Sequence, residues 1–373
     1  MNVTELLKKF QDVAAAPAKQ KEEYLKAGRK IVLTAPVYTP EELIHSFGMV
    51  PMGAWGADTE LKEAKRYFPA FICSIVQSIV ELGMRGDYEG VSAIVVPSLC
   101  DSLKVLGENW KYAVPSIPFI PMTYPQNRKP AFGKAYTKAG YERVITELEK
   151  ITGEKFDNQK LAESVKVYNE HNAAMRTLAE ELVKHPEVSA LQRSAVYKSA
   201  FFMRKEEHTA LVAELTEALR AQAPEGTKIA IMTTGILADH PALLEIIDQN
   251  GLQIVADDVA AESRQYRTDA VGDTTALDSL AGKFCAMDNC SVLYDVEKER
   301  INMIVETAKN TGAKGVLMVL TKFCDPEEFD YPLLKKACEA AGLPILLIEV
   351  DRQMENFGQA ATMIETFKEM VEQ

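Results

Sequence analysis

Six cysteines, Cys73, Cys100, Cys285, Cys290, Cys324 and Cys338, are the residues of this 373-residue chain best placed to do chemistry. No two form a Cys-x-x-Cys pair, so neither a zinc ribbon nor a dithiol redox motif is present. Cys100 and Cys324 share a setting. Each follows a short apolar run by three or four residues and is itself followed by Asp, in Ser98-Leu99-Cys100-Asp101 and Lys322-Phe323-Cys324-Asp325. Cys73 lies in Pro69-Ala70-Phe71-Ile72-Cys73-Ser74. Proline favours the first helical position, so this spacing predicts Cys73 in the first or second turn of a helix. There the dipole favours a thiolate or an anionic ligand. Three thiols from separate segments fit two readings, plain packing or three ligands of a [4Fe–4S] cluster with its fourth iron open or capped by a small anion. Cys338 reads as a helix filler and Cys285 as core. Cys290 also reads as core, with a position near the cleft left open.

Other motifs are missing or ambiguous. There is no Gly-x-x-x-x-Gly-Lys-[Ser/Thr] loop for a nucleotide triphosphate and no Gly-x-Gly-x-x-Gly fingerprint after the first strand. The five histidines, His45, His171, His185, His208 and His240, form no metal pair by spacing. Asp257-Asp258, expected just past a strand, could orient a partner or start a helix. Arg264 and Arg267 could meet an anion or lie on a solvated or salt-bridged helix face.

The elements that must position these residues repeat. Lys30–Thr34, Met49–Met52, Val91–Val96 and Ile117–Ile120 read as strands, and so do Lys228–Met232, Leu252–Ala256, Gly315–Leu320 and Pro344–Glu349. In both sets an amphipathic helix follows the first strand. Thr39 is expected to cap the helix at Glu41–Phe47, with Pro40 at its first position, and Gly48 to end it. Asp239-His240-Pro241 opens the corresponding helix and Gly251 closes it. Continuous apolar strands alternating with helices predict parallel sheets covered on both faces. Between the two sets the period is helical, with Asp157 as one cap, and Ala223-Pro224-Glu225-Gly226 marks a boundary. The expected fold is α/β: two similar Rossmann/flavodoxin-like parallel-sheet domains with a helical insert between them. The expected domains are 1–134 (with an N-terminal helix), 135–225 (helical) and 226–373. Ligands in such folds gather at the carboxyl ends of strands, where Cys100 and Cys324 lie.

Composition narrows the function classes. A formal charge of −12 argues against nucleic acid and anionic membranes as partners. No apolar run approaches the ~18 residues of a membrane span, and Met1–Lys9 reads as an amphipathic helix rather than a signal. A cytoplasmic protein with reduced thiols is expected.

The chain resembles the β subunits of 2-hydroxyacyl-CoA dehydratases, within the wider group that includes the benzoyl-CoA reductases. The stretches that carry the resemblance begin with Pro40–His45, Gly48–Gly53, Phe68–Ile75, Leu99–Leu103 and Pro125–Lys129. They continue with Phe202–His208, Val255–Asp258 and Lys322–Glu328. It spans essentially the whole chain. It lies closer to the 2-hydroxyisocaproyl-CoA type than to the 2-hydroxyglutaryl-CoA type, with the lactoyl-CoA and phenyllactyl-CoA enzymes as neighbours.

The resemblance implies a heterodimer with a homologous α subunit and one [4Fe–4S] cluster per subunit, here on Cys73, Cys100 and Cys324. It implies reversible dehydration of an (R)-2-hydroxyacyl-CoA to an (E)-2-enoyl-CoA through ketyl radicals, because the β-proton is not acidic until an electron has been added to the thioester. An ATP-dependent iron–sulfur activator would inject that electron, this subunit's cluster would relay it, and the acyl-CoA would contact mostly the α subunit. Asp101 and Asp325, next to two of the ligands, would adjust loop geometry or cluster potential. A flavin is compatible with the resemblance, but nothing in the sequence supports one. Two alternatives differ in kind: a homodimeric double-cubane-cluster reductase of the same group, and a non-enzymatic two-domain small-molecule binding protein.

Overall fold

The computed structural model describes residues 1–372. The chain opens with α1 (Val3–Ala15) and α2 (Pro17–Lys26), then builds a first unit of β1 (Ile31–Thr34), α3 (Glu41–Ser46), β2 (Val50–Gly53), α4 (Ser74–Met84), β3 (Ala93–Pro97), α5 (Asp101–Ala113) and β4 (Phe119–Met122). Four helices follow: α6 (Ala131–Thr152), α7 (Asn158–Leu182), α8 (Ala190–Ser199) and α9 (Lys205–Ala221). The second unit runs β5 (Ile229–Gly235), α10 (Pro241–Gln249), β6 (Leu252–Val259), α11 (Ala276–Ala286), α12 (Glu299–Asn310), β7 (Val316–Thr321), α13 (Asp325–Ala340), β8 (Ile345–Val350) and α14 (Gly358–Val371).

Among the described residues there are two four-stranded, all-parallel sheets, ordered β2-β1-β3-β4 and β6-β5-β7-β8. The two orders are the same. In each sheet the chain reverses direction of travel between the first and third strands, which opens a crevice at their carboxyl ends. The registers match as well. Thr34 faces Val95 and Gly235 faces Val319, and a cysteine follows each partner by five residues. One apolar core joins the sheets, with Ile31 and Leu33 of the first and Ile231 and Leu317 of the second in the same cluster. α6 and α7 cover another face together with α11 through Val144, Leu161 and Phe284. The apolar stripe of α1 (Leu6, Leu7, Phe10) packs on Val196 of α8 and Val212 and Leu215 of α9, so the N-terminus adds to the helical layer.

Three local expectations change. Thr39 does not cap α3. Pro40 holds that position, and the Thr39 hydroxyl donates back to Ala35 O at 2.8 Å. Cys73 lies one residue before its helix, at the N-cap of α4, because Pro69–Ile72 forms a separate turn closed by Ile72 N–H donating to Pro69 O. β6 runs through Asp257-Asp258 rather than stopping before them. Asp157 caps α7 as expected, its side chain accepting from Gln159 N–H at 2.8 Å.

Candidate metal centre

Cys73, Cys100 and Cys324 occupy the same local position, the N-cap of a helix: α4, α5 and α13 respectively. Cys100 and Cys324 lie three residues beyond β3 and β7, at the crevice of each sheet. The three are brought to one place. The charge of Cys73 acts on Cys100, and those of Cys73 and Cys100 act on Cys324. All three sulfurs are free and their residues half-buried.

Local bonds fix the Cys73 and Cys324 segments. Arg352, just past β8, donates its backbone N–H to Ser74 Oγ at 2.9 Å, which ties the start of α4 to the second unit. The Arg352 guanidinium pairs with Asp239 at 2.7 Å and donates to Gly56 O at 2.9 Å. Cys324 N–H donates to Thr321 O at 3.0 Å, Lys322 N–H to Val350 O at 2.9 Å, and Phe323 N–H to the Glu328 carboxylate at 3.1 Å. Phe323 pays for this tight turn with φ of +62°, a left-handed conformation rare outside glycine.

Electrostatics define what these thiols can hold. Burial raises the pKa of all three: Cys73 above its ordinary value, Cys100 to about 12, and Cys324 well above. Backbone amides of the first helical turns oppose this, those of Val76 and Ile75 at Cys73, Leu103 and Ser102 at Cys100, and Glu327 at Cys324. None closes a capping hydrogen bond. The Ser102 hydroxyl acts on Cys73 in the same sense. Three buried thiols that repel one another as thiolates require a cationic centre to ionise together. Three positive helix ends favour a centre whose thiolate complex is net negative. A [4Fe–4S] core with three thiolates meets both conditions. Among the described residues, no group of three or more His, Cys, Asp or Glu is set to hold one metal ion. In charge and donor chemistry, three thiolates at three helix ends would suit a [4Fe–4S] core.

The remaining residues singled out by sequence fall elsewhere. Cys338 is fully buried in the core under α13. Cys290 is buried with its sulfur 3.5 Å from Arg264 Nη1, and Cys285 is half-buried on α11. Asp258, Arg264 and Arg267 belong to a buried network rather than a solvated face or a helix start. Arg264 pairs with Asp258 (3.0 Å) and Glu327 (2.9 Å), Arg267 with Asp258 (2.7 Å), and Arg300 with Asp258, Glu327 and Asp330 (2.7, 2.9 and 2.8 Å). Asp257 pairs with Arg193 at 2.5 Å. Glu327, one turn into α13, carries this network to the helix that Cys324 caps. Its signal in the sequence was position alone, three residues after a cysteine at a strand end. Ser102 and Arg352 gave no signal at all. His171 and His208, far apart in sequence, meet at 3.0 Å.

The geometry defines a class: an α/β protein of two like parallel sheets, with three thiols gathered at the carboxyl edges of both. Comparison with known proteins supplies the family. The model for the 2-hydroxyglutaryl-CoA dehydratase D-component family matches residues 36–371, and the chain belongs to that family. It is 45% identical to the (R)-phenyllactyl-CoA dehydratase beta subunit of Clostridium sporogenes, over 96% of this chain and 97% of that one. It is 39% identical to the lactoyl-CoA dehydratase subunit beta of Anaerotignum propionicum, over 99% of each. To the (R)-2-hydroxyglutaryl-CoA dehydratase subunit beta of Acidaminococcus fermentans it is 37% identical, over 99% of this chain and all of the other. Among solved structures, a Mn-bound periplasmic metal binding protein from candidatus liberibacter asiaticus aligns over 92% of this chain and 97% of that one. Its TM-score of 0.25 and 8% identity carry no argument.

Proposed function

We propose that this chain is the β subunit of a 2-hydroxyacyl-CoA dehydratase, a hydro-lyase that interconverts an (R)-2-hydroxyacyl-CoA and an (E)-2-enoyl-CoA. Cys73, Cys100 and Cys324 hold one [4Fe–4S] cluster. The observation that carries this reading is three cysteine N-caps, from both halves of the chain, sharing one site. When bound, the cluster supplies one-electron exchange at low potential to the acyl-CoA chemistry of a homologous α subunit. The chain's own residues do the rest. Three helix ends offset negative charge, burial keeps water from the sulfurs, and the Arg352–Ser74 and Cys324–Thr321 bonds hold the ligand segments in place.

Two further observations support a partner at this face. Relatives of matching length carry the name beta subunit. Phe71, Phe323, Phe329 and Leu333, all in or next to the ligand segments, are large apolar side chains exposed by 67, 45, 76 and 46%. Phe329 and Leu333 lie one turn apart on α13, and adjoining exposed apolar side chains suit an interaction site. In this reading a separate ATP-dependent iron–sulfur activator injects the electron, a division of labour that agrees with a sequence carrying no phosphate loop. In the same reading the chain is cytoplasmic and divides into units 1–134, 135–225 and 226–373. Among the described residues, no helix is long and apolar enough to cross a membrane.

Anaerobic co-purification tests the proposal. It should give a brown complex with a similar partner and about four irons per subunit. Changing Cys73, Cys100 and Cys324 together to Ala should remove the iron of this subunit and its reduced-state electron paramagnetic resonance signal. Iron retained in that variant overturns the ligand assignment. A colourless, iron-free wild type after strictly anaerobic purification overturns the function.

A further inference from the structure

A second cavity lies where the edge of the first sheet, the helical layer and the second unit meet, and none of the three cysteines lines it. Its empty volume, open solvent included, is about 750 Å³. Two largely buried ion pairs line it, Lys205–Glu41 at 3.1 Å and Lys283–Glu42 at 2.7 Å. Lys205 also donates to Ala200 O at 2.6 Å. The Lys283 ammonium has Glu42 as its one hydrogen-bond partner among the described residues.

Two other polar atoms of the lining, His171 Nδ1 and the Tyr168 hydroxyl oxygen, close no hydrogen bond among the described residues. His208 Nε2 lies 3.0 Å from Val196 O, and a carbonyl only accepts, so that nitrogen carries the proton. His208 Nδ1 then accepts from His171 Nε2 at 3.0 Å. Burial keeps both rings neutral, lowering His208 to about 3 and His171 well below its ordinary value. A neutral His171 protonated at Nε2 has a bare lone pair on Nδ1, and that atom is buried without a hydrogen bond. The Tyr168 hydroxyl is equally buried and closes no hydrogen bond within normal reach, and burial together with the nearby Glu41 carboxylate keeps it protonated. Buried groups left unpaired in this way cost free energy and call for an occupant.

We propose that this cavity binds a small zwitterion of the α-amino-acid class, its ammonium towards Glu41, Glu42 and the His171 lone pair, its carboxylate towards Lys283 and the Tyr168 hydroxyl. The charge balance selects this class. The four ionised groups sum to zero, so a simple anion or cation would bury a net charge, whereas a zwitterion exchanges partners within the two pairs and buries none. Trp55 and Phe284 also line the cavity and suit an apolar side chain. The site is independent of the cluster reading.

Isothermal titration of the purified full-length chain, with its partner where one co-purifies, tests it. The ligands are L-alanine, L-leucine and L-phenylalanine, each beside its decarboxylated amine and its deaminated acid. At least one amino acid should bind saturably, with its amine and acid each about tenfold weaker or worse. Tyr168→Phe keeps the ring and removes one hydrogen bond to a charged group, so it should weaken binding about tenfold. Lys283→Met should abolish binding, with circular dichroism checking that it folds. No saturable binding by any amino acid, an acid alone matching its zwitterion, or wild-type affinity in a folded Tyr168→Phe overturns the proposal.

Discussion

The two halves of this chain have one topology and nearly one register, yet they treat the edge that holds the thiols differently. In the first half the residue three positions after Cys100 is Leu103, buried in the common core. In the second half the residue three positions after Cys324 is Glu327, fully buried among Arg264 and Arg300. Thr34 faces Val95 in the first sheet, whereas Gly235 occupies the matching place opposite Val319 in the second. A fold that is apolar at one thiol edge and ionic at the other shows that topology sets where ligands gather and leaves open how they are held. The first half supplies two cysteines from an apolar wall. The second supplies one, on a helix braced by charge.

The largest effect should come from unbalancing that brace. Glu327→Ala leaves Arg264 and Arg300 with buried charge unmatched and should cost about 3–5 kcal/mol in urea unfolding. Replacing Arg300 and Glu327 together by Met and Leu should recover much of it. If the single change costs under about 1 kcal/mol, the two edges do not differ in the way described. Next in size is Gly235→Ala. With φ of +148°, a Cβ there would come within 2.2 Å of Val319 O, so the change should cost more than about 1 kcal/mol, while the matching Thr34 already carries a branched side chain. A Gly235→Ala variant as stable as wild type would remove this distinction.

A smaller effect depends on pH. Glu262 is pushed up to about 7 by burial and by the Asp257 charge, despite its pairing with Arg193. An acid raised in the folded state holds a proton there that the unfolded chain has already released. Stability should therefore fall as pH rises from about 4.3 towards 7 and level off above. Glu262→Gln should flatten that slope, read from urea midpoints at pH 5 and 8. Asp258 works in the opposite sense. Its three arginines hold its carboxyl well below the ordinary range, so its contribution is present at neutral pH and lost only as pH falls below about 4 towards the folded value.

Much of the scaffold was legible because it is local. All eight apolar runs became strands, within a residue or two at their starts, and the strand-end placement of Cys100 and Cys324 follows from counting along the chain. Cys73 lies one turn boundary away from its expected place, because a proline suits the start of a short turn as well as of a helix. What escaped was non-local. The Asp258–Arg300 pair joins residues 42 apart, Lys283–Glu42 residues 241 apart, and Arg352–Ser74 residues 278 apart. No periodicity reports such partners. Arg264 and Arg267 stand out in the sequence, but a single sequence gives the same signal for a solvated face and for a buried pair.

The finest distinction between the halves lies in the aspartates that follow their cysteines. Asp101 is exposed and paired with Lys104 at 3.0 Å, so its charge is partly offset where it acts on Cys100. Asp325 opens α13, and its charge acts across the site on Cys73. Neither Asp101→Asn nor Asp325→Asn should move stability by more than about 0.5 kcal/mol. A negative charge beside a cluster disfavours the added electron, so removing one raises the reduction potential. Potentiometric titration of the holoprotein should then show a rise for Asp325→Asn that exceeds the rise for Asp101→Asn, whose loss also frees Lys104 to move away. Equal shifts, or the reverse order, would mean that the two halves press on the thiols alike and differ only in how they are braced.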